Sequence, residues 1–245
     1  NYLKAIKAEF EAEGTRIDEL AFLSQLCLKY KVPLTLKIGG ACAKRDMYEA
    51  FQLGAKSILV PMIESEFSLN IATEIFEKIN PLFYSLNKRP CLSINIESKL
   101  AHQNFDNILQ VIINNKLPVK SIVIGRSDLA SSLGLKNVDS EEIYEIAKEI
   151  LIKSLSYGLI VNVGGNLTRK SYEFLKKLNL YGLSTCESRK CTFSFSPEIS
   201  NNEFSKLIKK GLEFEGSWLE YKQTLYSNRS NEENQRLETI KKRIK

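Results

Sequence analysis

The chain of 245 residues contains a single histidine and five cysteines, and no two cysteines are spaced as Cys-x-x-Cys. The cysteines are scattered and odd in number, so the sequence indicates neither a disulfide framework nor a zinc site. No apolar run approaches the roughly 20 residues of a membrane-spanning helix. No charged segment followed by an apolar one resembles a secretory leader. We therefore expect a reduced, cytoplasmic setting and no membrane partner.

Two kinds of binding motif are also missing. No Gly-x-x-x-x-Gly-Lys-Ser/Thr loop is present, which argues against a nucleotide-phosphate cradle. The net charge is +6, which could attract anionic partners, but no aromatic and basic platform for single strands accompanies it. We expect no nucleic-acid partner and keep nucleic-acid binding as a minor alternative.

The stretch from Ser121 to Gly134 is the most informative part of the sequence. An apolar run, Ser121 to Ile124, ends at Gly125 and is followed by Asp128. Such a run predicts a buried strand, and α/β enzymes place metal ligands and catalytic groups where parallel strands end. Asp is also a favoured helix N-cap, so a capping role for Asp128 is an equal alternative.

A second strand with the same ending precedes it. Cys91 to Ile96 is followed by Glu97, and a predicted helix separates this segment from Asp128. Acids at the ends of neighbouring parallel strands converge on one mouth. Two carboxylates there can hold a hard divalent cation and leave room for water and substrate oxygens.

These two segments together resemble the HpcH/HpaI aldolase and citrate lyase β-subunit family. The resemblance is carried by Ile96-Glu97-Ser98, a helix, and then Ile124-Gly125-Arg126-Ser127-Asp128-Leu129. It implies a phosphoenolpyruvate/pyruvate-type barrel in which Glu97 and Asp128 bind Mg2+ or Mn2+. The implied substrate is a 2-oxo acid or acyl compound that reacts through an enolate, with Gly125, Arg126 and Ser127 contributing to its binding.

Earlier residues extend the resemblance. Glu9 and Glu11 alternate at the end of a predicted strand and so share one face; the resemblance places them at the active site, whereas the alternative is a polar rim. Lys37 stands where the family pattern has an arginine that contacts the keto oxygen. It keeps the positive charge but lacks the bidentate fork. We expect Lys37, Glu9 and Glu11 to be catalytic, and Lys37 also to bind substrate.

Two residues that often carry chemistry are given ordinary roles. His102 follows its strand by several residues, which favours a capping or surface position over a general base. The family histidine after the early acidic strand has no counterpart, because Ala12 and its neighbours are not histidine. Cys186 could be a nucleophile, but a small buried thiol is the commoner fate.

Seven strands alternating with helices predict a parallel sheet with right-handed crossovers. A (β/α)8 TIM barrel fits best, with its first strand expected before Asn1, and an open doubly wound sheet is the alternative. We expect a catalytic barrel domain over residues 1–200 and a C-terminal helical extension over residues 201–245. The extension could pack on a neighbouring subunit of a homo-oligomer.

The predicted function is a metal-dependent carbon–carbon lyase of the aldolase or citrate lyase type. One alternative is a non-catalytic subunit that binds an oxo acid or serves assembly on the same barrel. Phosphoryl transfer on phosphoenolpyruvate is a weaker alternative, since the sequence offers no phosphate loop.

Overall fold

A closed barrel forms the centre of the molecule. The computed structural model describes residues 2–86 and 90–244, and within them eight strands close on one another in chain order. They are β1 Leu3–Glu9, β2 Leu34–Lys37, β3 Ser57–Val60, β4 Cys91–Ile96, β5 Val119–Gly125, β6 Ile160–Gly164, β7 Thr185–Glu187 and β8 Cys191–Ser194. The first seven run parallel. The predicted barrel is confirmed, and the open sheet is wrong.

The eighth strand differs from the expectation in position and direction. We expected it before Asn1, but β8 follows β7 and runs antiparallel to both β7 and β1. Only Ser188 to Lys190 separate β7 from β8, and the N–H of Ser188 donates to the carbonyl of Cys191 at 2.8 Å. A parallel crossover needs a dozen or more residues, whereas a tight turn suffices for an antiparallel neighbour. The short connection therefore dictates the direction of β8.

Helices cover the outside of the barrel. They are α1 Ile17–Tyr30, α2 Lys44–Gln52, α3 Glu66–Ile79, α4 Lys99–Gln103, α5 Phe105–Asn114, α6 Arg126–Ser132, α7 Glu141–Ser156, α8 Tyr172–Asn179 and α9 Asn201–Ile244, with short 3-10 helices at Asn80–Leu86 and Arg169–Ser171. The apolar core lies between strands and helices. On α1, for example, Leu20, Leu23 and Cys27 are buried, at the spacing of one helical face.

Three serines on neighbouring strands, Ser57, Ser93 and Ser121, form a chain of hydroxyl groups. The hydroxyls of Ser57 and Ser93 lie 2.8 Å apart, and Ser93 contacts Ser121 at 2.5 Å. Since side chains alternate along a strand, Asn95 and Glu97 face the same way as Ser93. The alternation that aligns these hydroxyls therefore also turns the side chains of Asn95 and Glu97 to the inside of the barrel, nearer its mouth.

The long helix α9 begins against the barrel. Phe204, Ile208 and Trp218 are buried, and Tyr221 stacks on Phe22 of α1 with ring centroids 4.5 Å apart. Beyond Tyr226 every side chain through Arg243 is exposed. In the part of the chain described, no helix combines the length and apolarity needed to cross a membrane.

Candidate active site

A cavity of 270 Å³ opens at the carboxyl ends of the strands. Its walls come from the ends of β1, β2 and β4 to β7 and from the loops that follow them. The lining residues are Lys7, Glu9, Glu11, Ala12, Lys37, Met62, Asn95, Val123, Gly125, Ser127, Asp128, Gly164, Gly165, Asn166, Glu187, Ser188 and Arg189. Six of the eight predicted site residues, all but Glu97 and Arg126, are among them, because the ends of parallel strands meet at one edge of a barrel.

Glu97 is not itself a lining residue but contacts the lining residues Met62 and Asn95, and it is 2% exposed. Its Oε1 accepts the N–H of Met62 at 3.0 Å, and its Oε2 accepts the amide of Asn95 at 2.7 Å. Gly125 makes room for it: a Cβ there would lie 2.7 Å from Glu97 Oε2. Burial raises the pKa of Glu97 and outweighs the lowering by Lys37, Asn95 and Met62, while Asp128 raises it further.

Asp128 lies in the first turn of α6, on the cavity wall. Its side chain is exposed, and among the described residues it has no hydrogen-bond or ion-pair partner. The N-cap of α6 is Gly125, and no side chain caps the helix. The capping interpretation of Asp128 is therefore wrong, and its carboxylate is free to face the cavity near Glu97.

Lys37, at the end of β2, lies between Glu11, which follows β1, and Glu97. Its Nζ lies 2.5 Å from Glu11 Oε2 and 3.8 Å from Glu97 Oε2. Burial lowers the pKa of Lys37, but Glu97, Glu11 and Glu9 together outweigh burial, so the pKa is raised. Lys37 thus remains a cation at neutral pH. Glu9, its register partner on β1, is buried with Oε1 3.9 Å from Arg189.

The three predicted substrate-binding residues after β5 separate into two groups. Gly125 and Ser127 line the cavity. Arg126 is fully buried, and its Nε and Nη2 donate to the carbonyls of Gly164 and Gly165 at 2.9 and 2.8 Å. Its Nη1 pairs with Asp139. The guanidinium of Arg126 therefore joins β5 to the end of β6, and only its backbone adjoins the cavity residues.

The sequence interpretation missed Lys7 and Asn95 and gave Glu187 no role. Lys7 Nζ lies 2.6 Å from Glu187 Oε1, and Asn95 Oδ1 is buried without a partner among the described residues. Alternation could have found two of them, because Lys7 shares a face with Glu9, and Asn95 shares one with Glu97. Glu187 faces Lys7 across β8, a contact that only the barrel closure creates.

The remaining reactive residues lie outside this chemistry. His102 Nε2 lies 3.0 Å from Glu149 Oε2 on α7 and is absent from the cavity lining, which agrees with the expected surface role. Burial raises the pKa of Cys186 to about 12. A thiol with so high a pKa is a poor nucleophile, so Cys186 is a buried structural thiol.

A barrel with a charged cavity at the carboxyl ends of its strands is the arrangement found in (β/α)8-barrel enzymes. The family model for HpcH/HpaI aldolase/citrate lyase matches residues 17–173. The chain belongs to the HpcH/HpaI aldolase/citrate lyase family.

Several solved structures have the same fold. An HpcH/HpaI aldolase from Desulfitobacterium hafniense DCB-2 is 14% identical, with a TM-score of 0.61 over 74% of this chain and 75% of that one. The citrate synthase SbnG is 15% identical, with a TM-score of 0.62 over 87% and 84%. A Haloferax volcanii malate synthase in complex with magnesium and glyoxylate is 11% identical, with a TM-score of 0.61 over 78% and 62%. No curated protein sequence matches.

Proposed function

We propose that the protein is a divalent-cation-dependent carbon–carbon lyase that acts on a 2-oxo acid or acyl substrate through an enolate. The observation that carries this proposal is the buried Glu97 beside Asp128, at a cavity that also presents the partnerless oxygen of Asn95. Family membership supports it. The malate synthase neighbour was solved with magnesium and glyoxylate, which is consistent with the same chemistry here.

The residues present fit Mg2+ or Mn2+. Within the described chain, no group of three or more His, Cys, Asp and Glu side chains could hold a metal ion. Mg2+, however, is commonly held by one or two carboxylates plus water and substrate oxygens. Four cavity carboxylates and the adjacent Glu97 face three cationic side chains, Lys7, Lys37 and Arg189. This excess of two negative charges matches a divalent cation.

Each residue then has a defined task. Glu97 and Asp128 would hold the cation, which supplies a Lewis acid for the keto oxygen. Lys37 keeps its proton and places a positive charge where the enolate oxygen develops. Peptide N–H groups between Gly125 and Asp128 bind the substrate carboxylate, and Asn95 Oδ1 accepts a hydrogen bond from a substrate hydroxyl or a water.

Calorimetry of Mn2+ and Mg2+ binding, with and without oxalate, tests the proposal. We expect the wild type to bind the cation and to bind it more tightly with oxalate, and Asp128→Asn to lose both effects. Glu141→Gln is the matched control, because Glu141 is also a first-turn helix acid but lies outside the cavity. A folded wild type that binds neither ion would refute the assignment.

One observation favours a second candidate, the non-catalytic oxo-acid-binding subunit. The only histidine of the chain, His102, lies away from the cavity, so a common proton carrier is missing there. Such a subunit would bind oxalate with the cation yet cleave no 2-oxo acid in a lyase screen. The expected homo-oligomer also stays a prediction, which the mass of the particle in solution would check.

A further inference from the structure

Enolate chemistry requires a group that moves protons, and this cavity has to supply one without histidine. The groups available among its described lining residues are carboxylates and lysines. Two carboxylates, Glu97 and Asp128, are proposed for the cation, and Glu11 is paired at 2.5 Å with Lys37, which is assigned to the enolate oxygen. Glu9 and Glu187 remain.

The surroundings of Glu187 suit a proton carrier better than those of Glu9. Glu187 accepts from Lys7 through Oε1 at 2.6 Å, and Oε2 has no hydrogen-bond partner in the part of the chain described. Both side chains are largely buried, with exposed fractions of 11% for Lys7 and 4% for Glu187. The carboxylate is therefore fixed by one oxygen and presents the other. Glu9 has a longer ion pair, 3.9 Å to the exposed Arg189, and also acts electrostatically on Lys37.

The backbone around Glu187 is built to leave it space. A Cβ at Gly164 would lie 3.0 Å from Glu187 Cγ and 3.2 Å from its Oε1. The strand that carries Glu187, β7, is separated from β4 and β5 by β6 on one side and by β8 and β1 to β3 on the other. Glu187 thus approaches a cavity ligand from a different wall than Glu97 and Asp128.

We propose that Glu187 is the proton-transfer residue of this cavity and that Lys7 positions it. This inference rests on the proposed function and deepens it. In the enolisation of pyruvate, Glu187 removes one methyl proton, and the C–H electron pair becomes the C=C bond of the enolate. The carbonyl π pair moves to the oxygen beside Lys37. The same proton, or a deuteron after exchange with solvent, returns to that carbon, so no oxidant or reductant is needed.

The cleavage direction uses the same carboxylate. Glu187 takes the proton of the substrate hydroxyl, the O–H pair becomes the new C=O bond, and the adjacent carbon–carbon bond breaks. Its electron pair forms the enolate, which then receives the proton held by Glu187. One residue therefore serves first as general base and then as general acid.

The test is deuterium exchange into the methyl group of pyruvate, followed by NMR in D2O with Mn2+-free Mg2+ buffer. We expect wild type to exchange and Glu187→Gln to exchange roughly 100-fold to 10,000-fold more slowly, the usual range for general acid–base catalysis. Lys7→Met should fall by less, and Lys7→Arg should recover part of the loss. Glu198→Gln is the control, an exposed glutamate shortly after β8 and outside the cavity lining.

Oxalate calorimetry and thermal unfolding on the same variants separate the explanations. Glu187→Gln that binds oxalate normally and stays folded, yet exchanges slowly, supports the inference. If that folded variant exchanges at the wild-type rate, or if Glu9→Gln alone abolishes exchange, the inference fails while the proposed function stands. If wild type binds no Mg2+ and no oxalate, the proposed function fails, and the inference fails with it.

Discussion

Two walls of the barrel mouth differ in how their chemistry is assembled. On the β4–β5 wall, Glu97 follows β4 directly and Asp128 lies in the helical turn just after β5, so a short segment fixes the identity and the position of each. On the β7–β8–β1 wall, Lys7 and Glu187 are 180 residues apart in the chain and meet at 2.6 Å. Local strand endings therefore specify the first wall, and only closure of the barrel specifies the second.

The walls also differ in what holds them. Parallel β4 and β5 share five register pairs, and α7 packs against β5. The antiparallel β8 has four residues, and it alone joins β7 to β1. Phe193 on β8 is buried, and its ring packs on α9 at Gly211. A Cβ at Gly211 would lie 3.1 Å from that ring. The large side chain of Phe193 thus anchors the closing strand to α9.

The largest effect on stability is expected on this closing wall. Phe193→Ala should lower the free energy of unfolding by about 3–5 kcal/mol, the usual cost of removing a buried phenylalanine ring. Phe67→Ala, which removes a ring that is 74% exposed, should change it by less than about 0.5 kcal/mol. Urea unfolding of both variants checks this. Equal midpoints would mean that β8 does not hold the barrel closed.

A smaller effect is expected on the β4–β5 wall, and it should couple stability to the site. Gly125 has an ordinary φ of −89°, so an alanine there meets no backbone strain. Its Cβ would instead lie 2.7 Å from Glu97. Gly125→Ala should therefore cost about 1–3 kcal/mol through overpacking and weaken cation binding by displacing the Glu97 carboxylate.

A second glycine provides the control for that change. Gly216, on α9, would place its Cβ with no atom within 4 Å. Gly216→Ala should be neutral or stabilise by up to about 1 kcal/mol, because alanine is the better helix former. Calorimetric cation affinity and thermal unfolding would be measured on both. A Gly125→Ala protein that binds the cation like wild type would show that Glu97 does not need its present position.

The sequence predicted the two walls to different extents, for physical reasons. Runs such as Cys91 to Ile96 contain their own evidence of strand, burial and ending, so the barrel and the positions of Glu97 and Asp128 near strand ends could be predicted, while their role as cation ligands stays a prediction. The position of β8 could not, because Cys191 to Ser194 is a short segment whose pairing with β1 and β7 depends on closure. The hydrogen bonds that Arg126 donates to the carbonyls of Gly164 and Gly165 could not be predicted either, because they depend on how β6 packs beside β5.

The mildest test compares two cysteines that begin strands on the two walls. Cys91 begins β4 and is exposed, whereas Cys191 begins β8 and is buried. Burial raises the pKa of Cys191 to about 11, so at pH 8 only about one thiol in a thousand is ionised, and the thiolate is the reactive form. Iodoacetamide at pH 8 should therefore modify Cys91 quickly and leave Cys191 intact until the protein unfolds.

The pH dependence of that reaction sharpens the comparison. Because the pKa of Cys191 is raised, its thiolate fraction should grow about tenfold for each pH unit above 8 until the pH nears 11. Peptide mass mapping after timed alkylation measures the modification of both cysteines in one sample. Circular dichroism shows whether the protein has unfolded. Rapid modification of Cys191 in folded protein at pH 8 would mean that the β7–β8–β1 wall opens readily. In that case the contact between Lys7 and Glu187 could not be a fixed feature of the site, since it spans that closing strand.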